Sequence, residues 1–377
     1  MPNRFTPDPQ AVGTYFRLLR RSLWGTPAGE APALQEALEI ARIQKTRGLV
    51  YQAVLDEGIP IDNKTYEMFD NLLLRTAYTH SMQGEILQRV VLALKKNGID
   101  PILLKGEGNA RQYPEPLLRE CDDLDIYVGE KNYEKSCGVV RGLTTQKEVS
   151  EASTSEKHYH IKIDGVSVEI HRFTHVFDVN RLDPVYQKFS DEGTFSDVFP
   201  IRVDKTTVNT PAPTFNALFI LVHAWHHFRN GGVGVRHLCD WTMYLHSRKD
   251  DIDKGKLSAM IGALDLWSAW KTFGYMAVNM LGLDKSEMPY YDASFEGRAK
   301  ISMDLILEEG NFGVERKKGR KRSGNYYISK AQSLFWWIER DLKVAKIFPG
   351  ETSRHLLKVL ERGFKQVWLD KTGGDND

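Results

Sequence analysis

Apolar residues along the first quarter of the chain recur at three- and four-residue spacing, which predicts helices over residues 37–55 and 66–94. Glycine and proline interrupt this pattern only around residues 25–32 and 58–60. Asn97-Gly98 then closes the long helix as a C-terminal cap. From there the period drops to two. Residues 102–104 and 124–128 read as short buried strands, and 130–143 returns to helix. Residues 158–163 and 166–173 alternate around Asp164-Gly165, a hairpin signal. Residues 99–205 therefore read as a small α/β unit.

Pro211 and Pro213 mark a boundary, and helical spacing resumes over 214–228, 235–246, 254–281, 295–309, 329–348 and 353–368. The organisation expected is an N-terminal helical region (1–80), an α/β domain (81–210) and a C-terminal helical domain (211–377). No internal repeat is visible. Phe335, Trp336 and Trp337 are expected to pack the 329–348 helix into the C-terminal core. Residues 316–327 read as a charged loop, and the last six as a frayed tail.

Composition narrows the function classes. The 377 residues are 41% apolar and 27% charged, so packed cores are feasible. A net charge of +1 does not point to a general nucleic-acid or membrane binder. Cys121, Cys137 and Cys239 have no metal-type spacing and suit a reducing compartment. The first residues lack the pattern of a signal peptide, and no apolar run suits a membrane span. A soluble cytoplasmic protein is the expectation.

Candidate chemistry begins with CDDLDIYV. Side chains alternate along a strand, so Asp123, Asp125 and Tyr127 share one face while Leu124, Ile126 and Val128 share the other. Two carboxylates two strand steps apart, about 6.5 Å, repel by roughly 2 to 3 kcal/mol at an effective dielectric near 20. Solvent, a basic partner or a divalent cation would relieve that. VSVEIHRF repeats the parity: Ser167, Glu169 and His171 share a face. If the two strands are neighbours, Glu169 completes a three-carboxylate cluster suited to Mg²⁺ or Mn²⁺. The bland alternative is a solvated acidic edge.

Lys105-Gly106 ends the first strand. The pair reads either as a plain turn or as a place where backbone and lysine meet a phosphate. Arg119 would clamp phosphate oxygens in a fork or neutralise Asp122. His171 would orient a carboxylate, move a proton or simply pack. His223 and His227 have zinc-ligand spacing but no HExxH context, and a core or interface role is the alternative. Arg236 and Asp240, four apart, suggest a helix ion pair; otherwise Arg236 reaches substrate phosphate. The 316–322 basic run reads as a solvated loop.

With these residues in view the chain resembles an uncharacterised bacterial nucleotidyltransferase family, a branch of the polymerase-beta-type superfamily. The likeness is carried by LLKG (103–106), YPEP (113–116), RECDDLDIYV (119–128), VEIHRF (168–173), LVHAWHHF (221–228) and VRHLCDWTMYL (235–245). It covers roughly residues 35–285. It implies an α+β fold: a small mixed-sheet nucleotidyltransferase-like core flanked by N- and C-terminal helical regions. It implies that Asp123, Asp125 and Glu169 are the catalytic metal ligands and that Lys105, Gly106 and Arg119 serve the nucleotide phosphates. His171, His223, Arg236 and Asp240 would line the cleft.

The implied reaction is two-metal, Mg²⁺- or Mn²⁺-dependent transfer from a nucleoside triphosphate, ATP by default, to a small-molecule or protein hydroxyl. One departure is that Glu107 follows Gly106, where a carboxylate beside a triphosphate is unfavourable unless it points away. That departure motivates the alternative of a catalytically inactive nucleotide-binding or regulatory protein. A metal-dependent hydrolase using His223 and His227 is a third reading.

Overall fold

Several helices of this chain end where neither glycine nor proline stands. The structure, a computed structural model, describes residues 5–177, 179, 181–317 and 324–349. After α1 (Pro9–Trp24), the stretch expected as one helix over 37–55 folds as two, α2 (Leu34–Ile43) and α3 (Arg47–Asp56). Lys45 between them takes φ 57°, and the Thr46 N–H donates to the Ala41 carbonyl at 2.9 Å. A left-handed residue and a six-to-one bond close a helix as glycine usually does.

The break has a use. It turns Gln44, fully buried, toward a distant segment, where its side chain accepts from Val235 N–H at 3.0 Å and donates to the Ile306 carbonyl at 3.1 Å.

Helix α4 (Asn63–Lys96) starts at Asp62, whose carboxylate accepts from Thr65 N–H at 2.7 Å, and is closed by Gly98 at φ 73°. Its 34 residues span roughly 51 Å.

The sheet follows: β1 (Ile102–Leu103), α5 (Glu107–Ala110), β2 (Asp123–Tyr127), α6 (Glu130–Arg141), α7 (Gln146–Ser150), β3 (Ser153–Thr154), β4 (His158–Ile163), β5 (Val166–His171), α8 (Asp183–Phe195), β6 (Phe199–Val203) and β7 (Thr206–Thr210). Among the described residues seven strands form one mixed sheet, in the order β3-β4-β5-β2-β1-β7-β6. β2 runs parallel to β5 and antiparallel to β1, and β1 runs parallel to β7. The β6–β7 hairpin escapes a reading based on glycine because Asp204 takes the left-handed turn position at φ 48°.

The C-terminal helices are α9 (Pro213–Arg229), α10 (Val235–Ser247), α11 (Lys254–Ala263), α12 (Trp267–Asn279), α13 (Glu296–Glu309), α14 (Val314–Lys317) and α15 (Tyr326–Ala345). The helix expected over 254–281 is again two, split at Asp265, φ 57°, with Leu266 N–H on the Ile261 carbonyl. Phe335 is 66% exposed, so the expected packing of this aromatic into the core is corrected. α15 docks instead through Val344 and the buried Arg340, whose guanidinium pairs with Glu309 at 2.8 Å. Most of the 316–322 run, the 353–368 helix and the tail lie outside the described residues.

Two apolar cores position the site. One lies behind the sheet, where Leu124, Ile126, Val168 and Ile170 meet Ile86, Leu87, Val90 and Leu94 of α4 and Tyr133, Cys137 and Val140 of α6. The other joins α1–α3 to α9–α13 and ends on Ile347 and Phe348. The polar faces of β2 and β5 are left toward α9 and α10. No described helix is long and apolar enough to cross a membrane. All three cysteines are free and buried.

Candidate functional site

Parity and register decide the centre of the site. In the parallel β2–β5 ladder Asp123 stands beside Ser167, Asp125 beside Glu169 and Tyr127 beside His171. Their side chains therefore leave the sheet together, and carboxylate oxygens of Asp123, Asp125 and Glu169 lie within 4.8 Å of one another. Leu124 and Ile126, one residue out of phase, are buried behind.

Lys105 and His171 are the nearest partners of the three carboxylates. Asp125 is 1% exposed; burial would raise its carboxyl, but Lys105 Nζ at 2.8 Å and His171 Nε2 at 2.9 Å hold it well below the usual range. Glu169 is also lowered: burial opposes this, and the His171 ring at 3.0 Å prevails. Asp123 goes the other way, raised to about 6 by the Asp125 charge and then by burial. His171, fully buried, thus bridges two of the three carboxylates, an orienting role.

Several sequence expectations are corrected. Arg119 lines the cavity over this face but does not pair with Asp122. Its fork closes on Asp240, Nε at 3.1 Å and Nη2 at 2.7 Å, and Tyr113 donates to the same carboxylate at 2.7 Å. The Arg236–Asp240 pair within α10 is absent. Arg236 donates instead to the Glu120 carbonyl at 2.7 Å and to Asp122 at 3.0 Å. Both arginines tie α10 to the loop before β2, and both line the cavity.

Gly106 serves packing: at φ 52°, an added Cβ would sit 2.8 Å from the Asp123 carbonyl oxygen. Glu107 points away into the interior, where His80 Nδ1 lies at 2.6 Å and Arg111 at 3.0 Å. The His80 imidazole is pulled down by burial, yet hydrogen bonds to Cys121 and Glu107 raise it to about 10.

A cavity of about 670 Å³ opens onto this face. Lys105, Asp123, Asp125, Glu169, Lys157 and His158 line one side, and His223, His227, His237 and Phe312 line the other. The sequence reading missed Lys157, His158 and His237. His158 was legible: the two-residue turn at Asp164-Gly165 pairs Ile163 with Val166, and counting back along both strands pairs His158 with His171. Its Nδ1 lies 3.5 Å from Glu169. Lys157 precedes the strand, so alternation said nothing of it. It is half-buried, and desolvation followed by repulsion from Lys105 lowers its ammonium to about 8. On the far wall, burial holds His223 well below the ordinary value, His227 at about 2 and His237 at about 3.

The residues fit a hard divalent cation: three converging oxygen donors with one carboxyl forced upward by its neighbour are relieved by such an ion. A family described as uncharacterised nucleotidyltransferase matches residues 31–282, the span holding every residue of this cleft except Phe312. No curated protein and no solved structure matches the chain.

Proposed function

The chain belongs to the uncharacterised nucleotidyltransferase family, and from that premise we propose that it moves a nucleoside monophosphate from a nucleoside triphosphate, ATP by default, to a hydroxyl acceptor. The observation that carries the reading is the convergence of Asp123, Asp125 and Glu169 in one cavity with Lys105. Its volume of about 670 Å³ is in the range of small-ligand sites.

Asp123, Asp125 and Glu169 would hold Mg²⁺ or Mn²⁺. A pair of such ions, when bound, supplies charge at the triphosphate and acidifies the acceptor hydroxyl. The protein's own groups prepare this. His171 holds Asp125 and Glu169 in place. Lys105 and Lys157 present positive charge to the phosphates. Asp123, raised to about 6 by the Asp125 charge, is the carboxyl whose proton a bound cation would displace. Arg119 and Arg236 shape the wall and keep α10 in register with β2.

Glu107, the residue that motivated a non-catalytic binder, faces His80 and Arg111 and does not line the cavity. The test is a pyrophosphate-release screen over the four nucleoside triphosphates with pooled small-molecule and protein acceptors. Asp125→Asn is expected to lower turnover about 10³-fold, the equivalent of several kcal/mol of lost charge stabilisation. Full turnover in a folded Asp125→Asn protein removes Asp125 from the chemistry. Calorimetric Mg·ATP binding with no pyrophosphate release from any pool points to the non-catalytic reading instead.

A further inference from the structure

The wall opposite the carboxylates carries three imidazoles that the transfer reaction does not use. His223 and His227 are one turn apart on α9, and His237 enters from the first turn of α10. Their rings form a triangle, with centroids 4.5 Å (His223–His227), 5.6 Å (His223–His237) and 5.5 Å (His227–His237) apart. One ring nitrogen from each lies within 4.8 Å of the others. Among the described residues no hydrogen bond engages these ring nitrogens, and the buried Nδ1 of His237 has no partner. Buried imidazoles ordinarily satisfy at least one nitrogen, so the unpartnered Nδ1 of the buried His237, beside two half-buried rings, is unexplained by packing alone.

We propose that His223, His227 and His237 form a transition-metal site of zinc type, with three nitrogen ligands from protein and a fourth position open to the cavity. Zinc–nitrogen bonds of about 2.1 Å in a tetrahedron place ligand nitrogens roughly 3.4 Å apart. Small side-chain rotations close the present triangle to that size. The helix spacing supplies two ligands on one face. The third is steadied from outside, since Gln44 accepts from Val235 N–H at the start of α10.

Neutral nitrogen donors select Zn²⁺ or Co²⁺ over Mg²⁺, so this site and the oxygen cluster would take different ions. An open fourth position on a cavity wall is the pattern of a site that binds an exchangeable oxygen donor, not of a closed structural zinc. The site stands whether or not the carboxylates transfer nucleotides.

Metal-free full-length protein is titrated with Zn²⁺ by calorimetry and with Co²⁺ by visible absorption. One Zn²⁺ per chain is expected, with a four-coordinate, nitrogen-rich Co²⁺ band that reports on the wild type without any substitution. His227→Ala and His237→Ala are each expected to weaken Zn²⁺ about 100-fold or more, as loss of one of three protein ligands implies. Asp125→Asn is expected to retain it. The proposal is overturned by absent Zn²⁺ binding, by an octahedral Co²⁺ spectrum, by indifference to His227→Ala in a folded protein, or by loss in Asp125→Asn. The last result would place the ion on the carboxylate side, with His158 and His171. Because turnover by the Asp125 cluster is read separately through pyrophosphate, failure of either idea is visible without the other.

Discussion

Asp123 is the carboxyl whose charge state the site controls most directly. It is raised to about 6 by its neighbour Asp125, so at lower pH it holds a proton that a bound cation must displace. Mg²⁺ affinity is therefore expected to climb as pH rises toward 6 and to level off above it. Calorimetry at several pH values reads this, and Asp123→Asn should flatten the dependence; a flat wild-type curve would contradict the arrangement.

Asp240 behaves in the opposite sense. Burial would raise it, but Arg119 lowers it to about 2. A carboxyl depressed on folding stabilises above its unfolded value near 4 and loses that contribution as pH falls toward the folded one, roughly 2 kcal/mol in all. Asp240→Asn is expected to cost about 3 kcal/mol at neutral pH, because it strands the buried Arg119 charge. It should also shed the part of acid sensitivity between about pH 4 and 2, measured by urea unfolding. Which aspartates share a face was legible from alternation. Which cation meets which anion was not: Arg119 and Asp240 are 121 positions apart, and spacing carries no information over that distance.

At the scale of elements, the recurrent device is a helix closed by a left-handed residue that is not glycine. Lys45 and Asp265 both do this, and neither break carries the glycine or proline by which a helix stop is legible in sequence. A side chain in that region costs about 1 kcal/mol. Lys45→Gly is thus expected to stabilise by about 0.5–1 kcal/mol, while Lys45→Val destabilises. Thermal melting of the pair gives the comparison, and a gain with valine would show that the position is not strained. The β2 and β5 strands were readable because period-two patterning and a two-residue hairpin turn are local signals. β6 has an alternating apolar face (Phe199, Ile201, Val203), but its hairpin turn at Asp204-Lys205 carries no glycine and β7 offers only Val208 to the core.

For the whole molecule, the first three helices and the C-terminal ones share one apolar core, with Trp24 donating to the Leu281 carbonyl at 2.6 Å and Arg47 paired to Glu120 at 2.7 Å. A chain beginning at residue 63 is expected to expose that core, bind a hydrophobic dye and lose Mg·ATP binding, because α10 would lose its Gln44 cap. Native-like melting and retained nucleotide binding of the shortened chain would separate the cleft from the N-terminal helices.

From its residues alone, this chain determined the helical flanks and the strand faces that carry Asp123, Asp125 and Glu169; that β5 lies beside β2 came from the fold. The flanks and faces follow from backbone periods a few residues long. Tertiary structure alone decided that Arg119 pairs with Asp240 and Arg236 with Asp122, that Glu107 turns inward, and that Lys157 and His237 join the cleft wall. Such contacts depend on how whole elements pack, and no local period records them.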